Sequence, residues 1–113
     1  MKFVYSPRYE IDIGPHVYPT AKYRLVRDRL IAEGVAGPSD FLEPEATSPA
    51  ELALVHTPKF LDDLDQLRRS RRTMHSELPL TRSVVDAYRV AAGGTILAAR
   101  MALDKVQRVG VHM

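Results

Sequence analysis

The residues with the most obvious capacity for chemistry are four histidines, His16, His56, His75 and His112. A helical metal site needs two ligands four positions apart, so that both side chains share one face, and a strand site needs an H-x-H. Neither spacing occurs here, and no aspartate joins a histidine in a D-x-H. The chain contains no cysteine, which removes thiolate zinc sites and disulfides. A G-x-S-x-G nucleophile elbow is absent too. The "AAGGT" at Ala91–Thr95 has neighbouring glycines but neither phosphate-binding frame, so it reads as a packing device inside a helix. "RRSRR", Arg68 to Arg72, reads as a solvated loop or helix end rather than a nucleic-acid surface. His56 reads as a hydrogen-bonding residue where two helices meet, and His75 as exposed. These residues alone complete no catalytic constellation and no metal site.

The elements that must position them follow from periodicity. "KFVY", Lys2 to Tyr5, is short, apolar and partly β-branched, and Ser6-Pro7 halts it: an opening strand. "EIDIGPHVYP" is a long loop, of the kind that carries function more often than plain connection. A helix is expected from Pro19 or Thr20 to Glu33, with Gly34 as the residue just past its end. Asp40–Glu45 suits a short strand closed by Pro44. Ser48, Pro49 and Glu51 form a helix-start signature with a capping box, and Thr57-Pro58 starts a second short helix. In that helix Phe60, Leu61, Leu64 and Leu67 make an apolar stripe, with Asp62, Asp63 and Asp65 facing water and Arg68 and Arg69 at the negative end of the dipole.

The longest periodic run, Thr81 to Lys105, places Val84, Tyr88, Ala91, Ala92, Thr95 and Ala99 on one side. Gly93 and Gly94 in its middle together cost roughly 2 kcal/mol relative to alanine, so a close backbone approach is expected to offset them. "VQRVGVHM", Val106 to Met113, alternates as a strand. Strands separated by helices require crossovers and a parallel sheet, and such a sheet needs cover on both faces. The expected class is α/β. With so few strands and nothing after the last, residues 1–113 are expected to be the first, incomplete portion of one larger domain.

Composition adds bounds. Apolar residues make up 45% and charged residues 27%, an ordinary globular balance. The net charge of +2 is too small to argue for nucleic acid. The opening residues hold no apolar run long enough for a signal peptide, and no run approaches the roughly 20 apolar residues of a membrane span. A cytoplasmic protein without a membrane partner is the expectation.

Several segments, in order, resemble the histone deacetylase superfamily, with the class IV type and its bacterial relatives. These are "VYSPRY" at Val4–Tyr9, "GPHVYPTAKYRLVRDRL", "ELALVHTPKFLDDL", "SELPLT" and "AAGGTILAARMAL". Together they cover nearly the whole chain. Many relatives carry His followed directly by Pro, whereas this chain has "HVYP".

The resemblance implies the N-terminal part of an arginase/deacetylase-like three-layer fold. It implies a zinc-dependent hydrolase of acetyl-lysine, an acetylated polyamine or a similar N-acyl amide. In such enzymes zinc acts as a Lewis acid on the carbonyl and lowers the pKa of bound water, while imidazoles move protons. The paired histidines, zinc ligands and tyrosine of that chemistry would follow Met113. This segment would hold no catalytic residue and no zinc, and would be inactive by itself. What it would supply is a tunnel wall and internal cavity, with Tyr5, Pro7, Arg8, Tyr9, His16 and Lys22 as candidates and Lys22 facing the departing carboxylate. Glu77 and Pro79 are rim candidates. Its partners would be the remainder of the domain and an acylated amine substrate. A different class also fits: a non-catalytic module that self-associates through its exposed last strand.

Overall fold

Apolar residues from near the two ends of the chain and from its middle meet in one small parallel sheet. The computed structural model describes residues 1–113. In chain order these form strand β1 (Phe3–Val4), helix α1 (Lys22–Ala32), strand β2 (Phe41–Leu42), helix α2 (Pro49–Ala53), helix α3 (Pro58–Asp65), helix α4 (Arg82–Leu103) and strand β3 (Val111–His112). A 3₁₀ turn at Pro7–Tyr9 follows β1, and another at Pro38–Asp40 precedes β2. The sheet order is β2-β1-β3 with both pairings parallel, so the fold is α/β. Phe3 lies opposite Phe41 on one side and Val111 on the other.

The strand pleat divides the two faces. Val4 packs with Ala98 and Met101 of α4, with Leu97 beside them, and this is the apolar core. The opposite face carries stacked Phe3 and Phe41, 5.3 Å apart, with Tyr5 edge-on to Phe41. Arg27 of α1 lies over the Tyr5 and Phe41 rings at 5.5 and 5.3 Å, so α1 covers this side with a guanidinium rather than an apolar stripe. No residue of α1 is fully buried.

Helix starts sit where their caps put them. Ser48 Oγ accepts from Glu51 N at 3.1 Å and Glu51 Oε2 accepts from Ser48 N at 2.9 Å, the expected capping box of α2. Thr57 caps α3 and Thr81 caps α4 through the hydroxyl alone, accepting from Phe60 N and Val84 N. Gly34 ends α1 with a φ of 71°, which costs glycine nothing. Helix α1 begins at Lys22, slightly later than periodicity suggested, because Thr20 is drawn aside: its hydroxyl donates to Ile11 O and accepts from Ile11 N.

Three expectations need correction. Asp63 does not face water; it is only 3% exposed. Its carboxylate accepts from Ser70 Oγ at 2.6 Å, Arg68 at 2.7 Å and Arg72 at 3.1 Å, so half of the arginine run folds back onto it. The last strand is much shorter than Val106–Met113. Asp104 Oδ1 caps the turn by accepting from Val106 N and Gln107 N, and Arg108 takes a left-handed φ of 53°. Helix α4 is also rotated from the expected stripe. Val85, Ala87, Val90, Gly93, Gly94, Ala98 and Met101 are buried with Val84, while Tyr88, Thr95 and Ala99 are exposed. The glycines set this rotation, because the side that carries them can approach other backbone most closely.

The molecule is a slab, 45 × 35 × 17 Å, with a radius of gyration of 15.7 Å. A compact chain of this length would have about 13 Å. Leu54, Val55 and Val106 are 83%, 78% and 88% exposed. No helix is long and apolar enough to cross a membrane.

Candidate functional site

Tyr9 is the centre of the best-formed site. Ser6, fully buried, accepts from Arg8 N and donates to Glu43, which shapes the 3₁₀ turn and aims Tyr9 inward. The Tyr9 ring meets Tyr5, Tyr23 and His112 edge-on, with centroids 5.5 to 6.2 Å away. Its hydroxyl hydrogen-bonds His112 Nε2 at 2.9 Å, and the other ring nitrogen of His112 lies 3.1 Å from Thr95 Oγ1. Burial pushes the Tyr9 phenol up to about 12, with the Glu43 carboxylate adding to the effect. Burial also lowers His112 below the ordinary imidazole value.

The Gly93-Gly94-Thr95 triplet has a distinct task at each position. A β-carbon on Gly93 would meet Glu45 O at 1.8 Å, so glycine admits that carbonyl. A β-carbon on Gly94 would lie 2.4 Å from both Tyr9 Oη and His112 Nε2, so glycine admits their hydrogen bond. Thr95 then holds the far side of the imidazole. This confirms the packing role expected of the glycines and adds the contact they make room for.

A cavity of about 60 Å³ opens beside this cluster, lined by Tyr9, Tyr18, Tyr23, Tyr88, His112 and several aliphatic side chains. Tyr18 and Tyr23 share a hydroxyl–hydroxyl hydrogen bond. Burial, then this bond, raises Tyr23, while the same bond lowers Tyr18. Lys22 Nζ stands 4.0 Å from the Tyr18 ring centroid and 5.2 Å from that of Tyr23, behind the lining rather than on it. His16 is half-buried and accepts from Tyr18 N at 3.0 Å, which fixes the loop that presents Tyr18.

Among the residues nominated from sequence, Tyr9 lines the cavity, Tyr5 and Lys22 touch its aromatic wall, and His16 braces it. Pro7 and Arg8 are exposed on the outer side of the turn, where Arg8 donates to Pro44 O and pairs with Glu43. Pro79 lines a second, open and mainly apolar groove of about 540 Å³ between α3 and α4; Glu77 is exposed and outside the lining. The His56 ring packs at a tilt against Phe60 in that groove, centroids 5.0 Å apart, instead of hydrogen-bonding at the helix junction.

Sequence reasoning missed His112, Thr95, Tyr18 and Tyr23 as site residues. The partners of His112 are 103 and 17 positions away, beyond any local spacing rule. The available signal was the glycine pair, which announced a close approach without naming what approached.

No three His, Cys, Asp or Glu side chains come together so as to hold a metal ion, and both ring nitrogens of His112 are already engaged. The residues present therefore do not fit a zinc centre. They offer phenols, one imidazole and a nearby ammonium.

A small parallel sheet with helices, a glycine-paired long helix and a tyrosine-lined cavity make this an α/β segment. The histone deacetylase domain family matches residues 16–113, and the chain belongs to that family. It is also 34% identical over 103 residues to an uncharacterised protein of Picosynechococcus sp.. That alignment covers 89% of this chain and 34% of the relative, so the chain spans about a third of the curated protein it matches.

Proposed function

We propose that these residues are the N-terminal part of a zinc-dependent deacylase that hydrolyses acetyl-lysine, an acetylated polyamine or a similar N-acyl amide. The family match over residues 16–113 carries this reading. Two physical features support it: the sheet has β3 at its edge, and the chain is less compact than a self-contained domain of its length. Apolar residues left exposed on a thin slab suit a surface that more of the same domain covers. In the complete enzyme zinc would bind residues outside this segment and supply Lewis-acid activation. The part played here is a wall. Tyr9 and its aromatic neighbours shape an internal cavity at the strand ends, where ligands of parallel sheets usually lie. Lys22 supplies positive charge behind it, and Pro79 contributes to a rim.

The test compares two proteins on a fluorogenic acyl-lysine. The 113-residue chain with added zinc should show no turnover. The product of any reading frame extending past Met113 should be active, lose activity to a chelator and regain it with zinc. Robust turnover by the 113-residue chain, or a continuation lacking a Gly-rich loop with paired histidines, refutes the proposal.

A second reading, a self-associating module, rests on β3 being an edge strand. A two-residue strand offers few hydrogen bonds for pairing, which weighs against it. A discrete, cooperative dimer in light scattering would favour it.

A further inference from the structure

We propose that His112 is a positioning residue that works as a neutral imidazole protonated on Nδ1, accepting from Tyr9 and donating to Thr95, and that it latches the 3₁₀ turn, α4 and β3 together until acid releases it. The heavy-atom geometry supplies the direction of each bond. Thr95 Oγ1 lies 3.4 Å from Ala91 O, one helical turn back, and its proton belongs there. Thr95 oxygen is then an acceptor for His112 Nδ1–H at 3.1 Å. Nε2 is left as the acceptor, and Tyr9 Oη, 2.9 Å away, donates to it. The chain of bonds runs from Tyr9 through the ring to Thr95 and ends on a backbone carbonyl of α4.

Each bond ties a different element to β3. Tyr9 belongs to the 3₁₀ turn and Thr95 to α4, while the neighbouring Met113 N donates to Val4 O of the central strand at 3.2 Å. Protonation at Nε2 makes both nitrogens donors, so the Tyr9 hydroxyl loses its acceptor inside an apolar cluster. The groups around the ring would not stabilise the resulting charge. From the 3₁₀ turn comes Tyr9, from α4 Thr95 and Tyr88, from α1 Tyr23 and from the preceding loop Tyr18; no carboxylate is among them. Lys22 stands over the Tyr18 ring. The lowered titration of His112, caused by burial alone, agrees with this geometry.

The test is a long-range ¹H–¹⁵N correlation spectrum of the ¹⁵N-labelled chain, which reads the protonation of each ring nitrogen, recorded across a pH series with amide exchange at Met113. At neutral pH His112 should carry its proton on Nδ1. Thr95→Val should shift it toward the Nε2–H form. Because the folded pKa lies below the unfolded one, the latch is complete above about 6.5, the free imidazole value, and fails as pH falls through the folded value. Met113 protection should be lost over that range in the wild type and stay flat in His112→Gln. An Nε2–H ring, a ring averaging between tautomers at neutral pH, or equal acid loss of protection in wild type and His112→Gln overturns the proposal.

Discussion

Gly93 lies so close to Glu45 that a β-carbon at position 93 would come within 1.8 Å of the Glu45 carbonyl oxygen. The carbonyl has little room to retreat. Two residues on, Thr47 donates to Arg89 O through both its amide and its hydroxyl, at 3.0 and 2.8 Å, which clamps the segment to α4. Gly93→Ala gains about 1 kcal/mol of helix propensity. It should nevertheless destabilise the chain by about 3 kcal/mol, because backbone rather than a side-chain tip must shift. Thermal denaturation followed by circular dichroism checks this; an unchanged or raised Tm counts against the contact.

Gly94→Ala meets side-chain tips instead, Tyr9 Oη and His112 Nε2. Its cost should depend on Tyr9. Removing the phenol oxygen by Tyr9→Phe relieves one of the two clashes, so the double variant should be more stable than the sum of the single effects by about 1 kcal/mol, within the usual range for touching residues. Additive effects in the denaturation cycle would place the three groups apart.

Asp63 gathers the arginine-rich segment. The Ser70 hydroxyl first, then Arg68 and Arg72, hold its carboxyl below its usual value of 3.8. Its folded pKa is lower than its unfolded one, so its contribution is complete above about pH 4 and disappears as pH falls toward the folded value. Asp63→Asn should lower Tm at pH 7 more than Asp62→Asn, whose carboxylate is exposed, and the gap should narrow under acid. Equal Tm values for the two variants at pH 7 would contradict the buried arrangement.

Ser48→Ala removes one half of the capping box of α2 and should cost about 1 kcal/mol. Gly in the same position should cost only a few tenths. Denaturant midpoints at constant m separate the two.

The legible parts of this fold are those decided within a few residues. Ser48 and Thr57 announced their helices because a cap acts three positions away, and the strand–helix order followed from periodicity. Asp63 was read as solvated because its partners lie beyond the helix, in a segment whose charge alone suggested solvent. The tail from Val106 looked like one strand because its valines alternate; the Asx turn at Asp104 decided otherwise. At the candidate site, Tyr9 and Lys22 were reached through family resemblance, whereas His112 and Thr95 needed the tertiary fold, since only the closed sheet brings β3 against Tyr9.

Strand β1 occupies the middle of the sheet, with Phe3 between Phe41 and Val111. Its second neighbour, β3, lies far along the chain from it. Until β3 is in place β1 keeps one hydrogen-bonding edge open, and closure waits on a contact of very long sequence separation. Such topologies fold slowly and expose unpaired backbone meanwhile. A partly folded chain is thus most open to wrong pairing in the interval before Val111 docks beside Phe3.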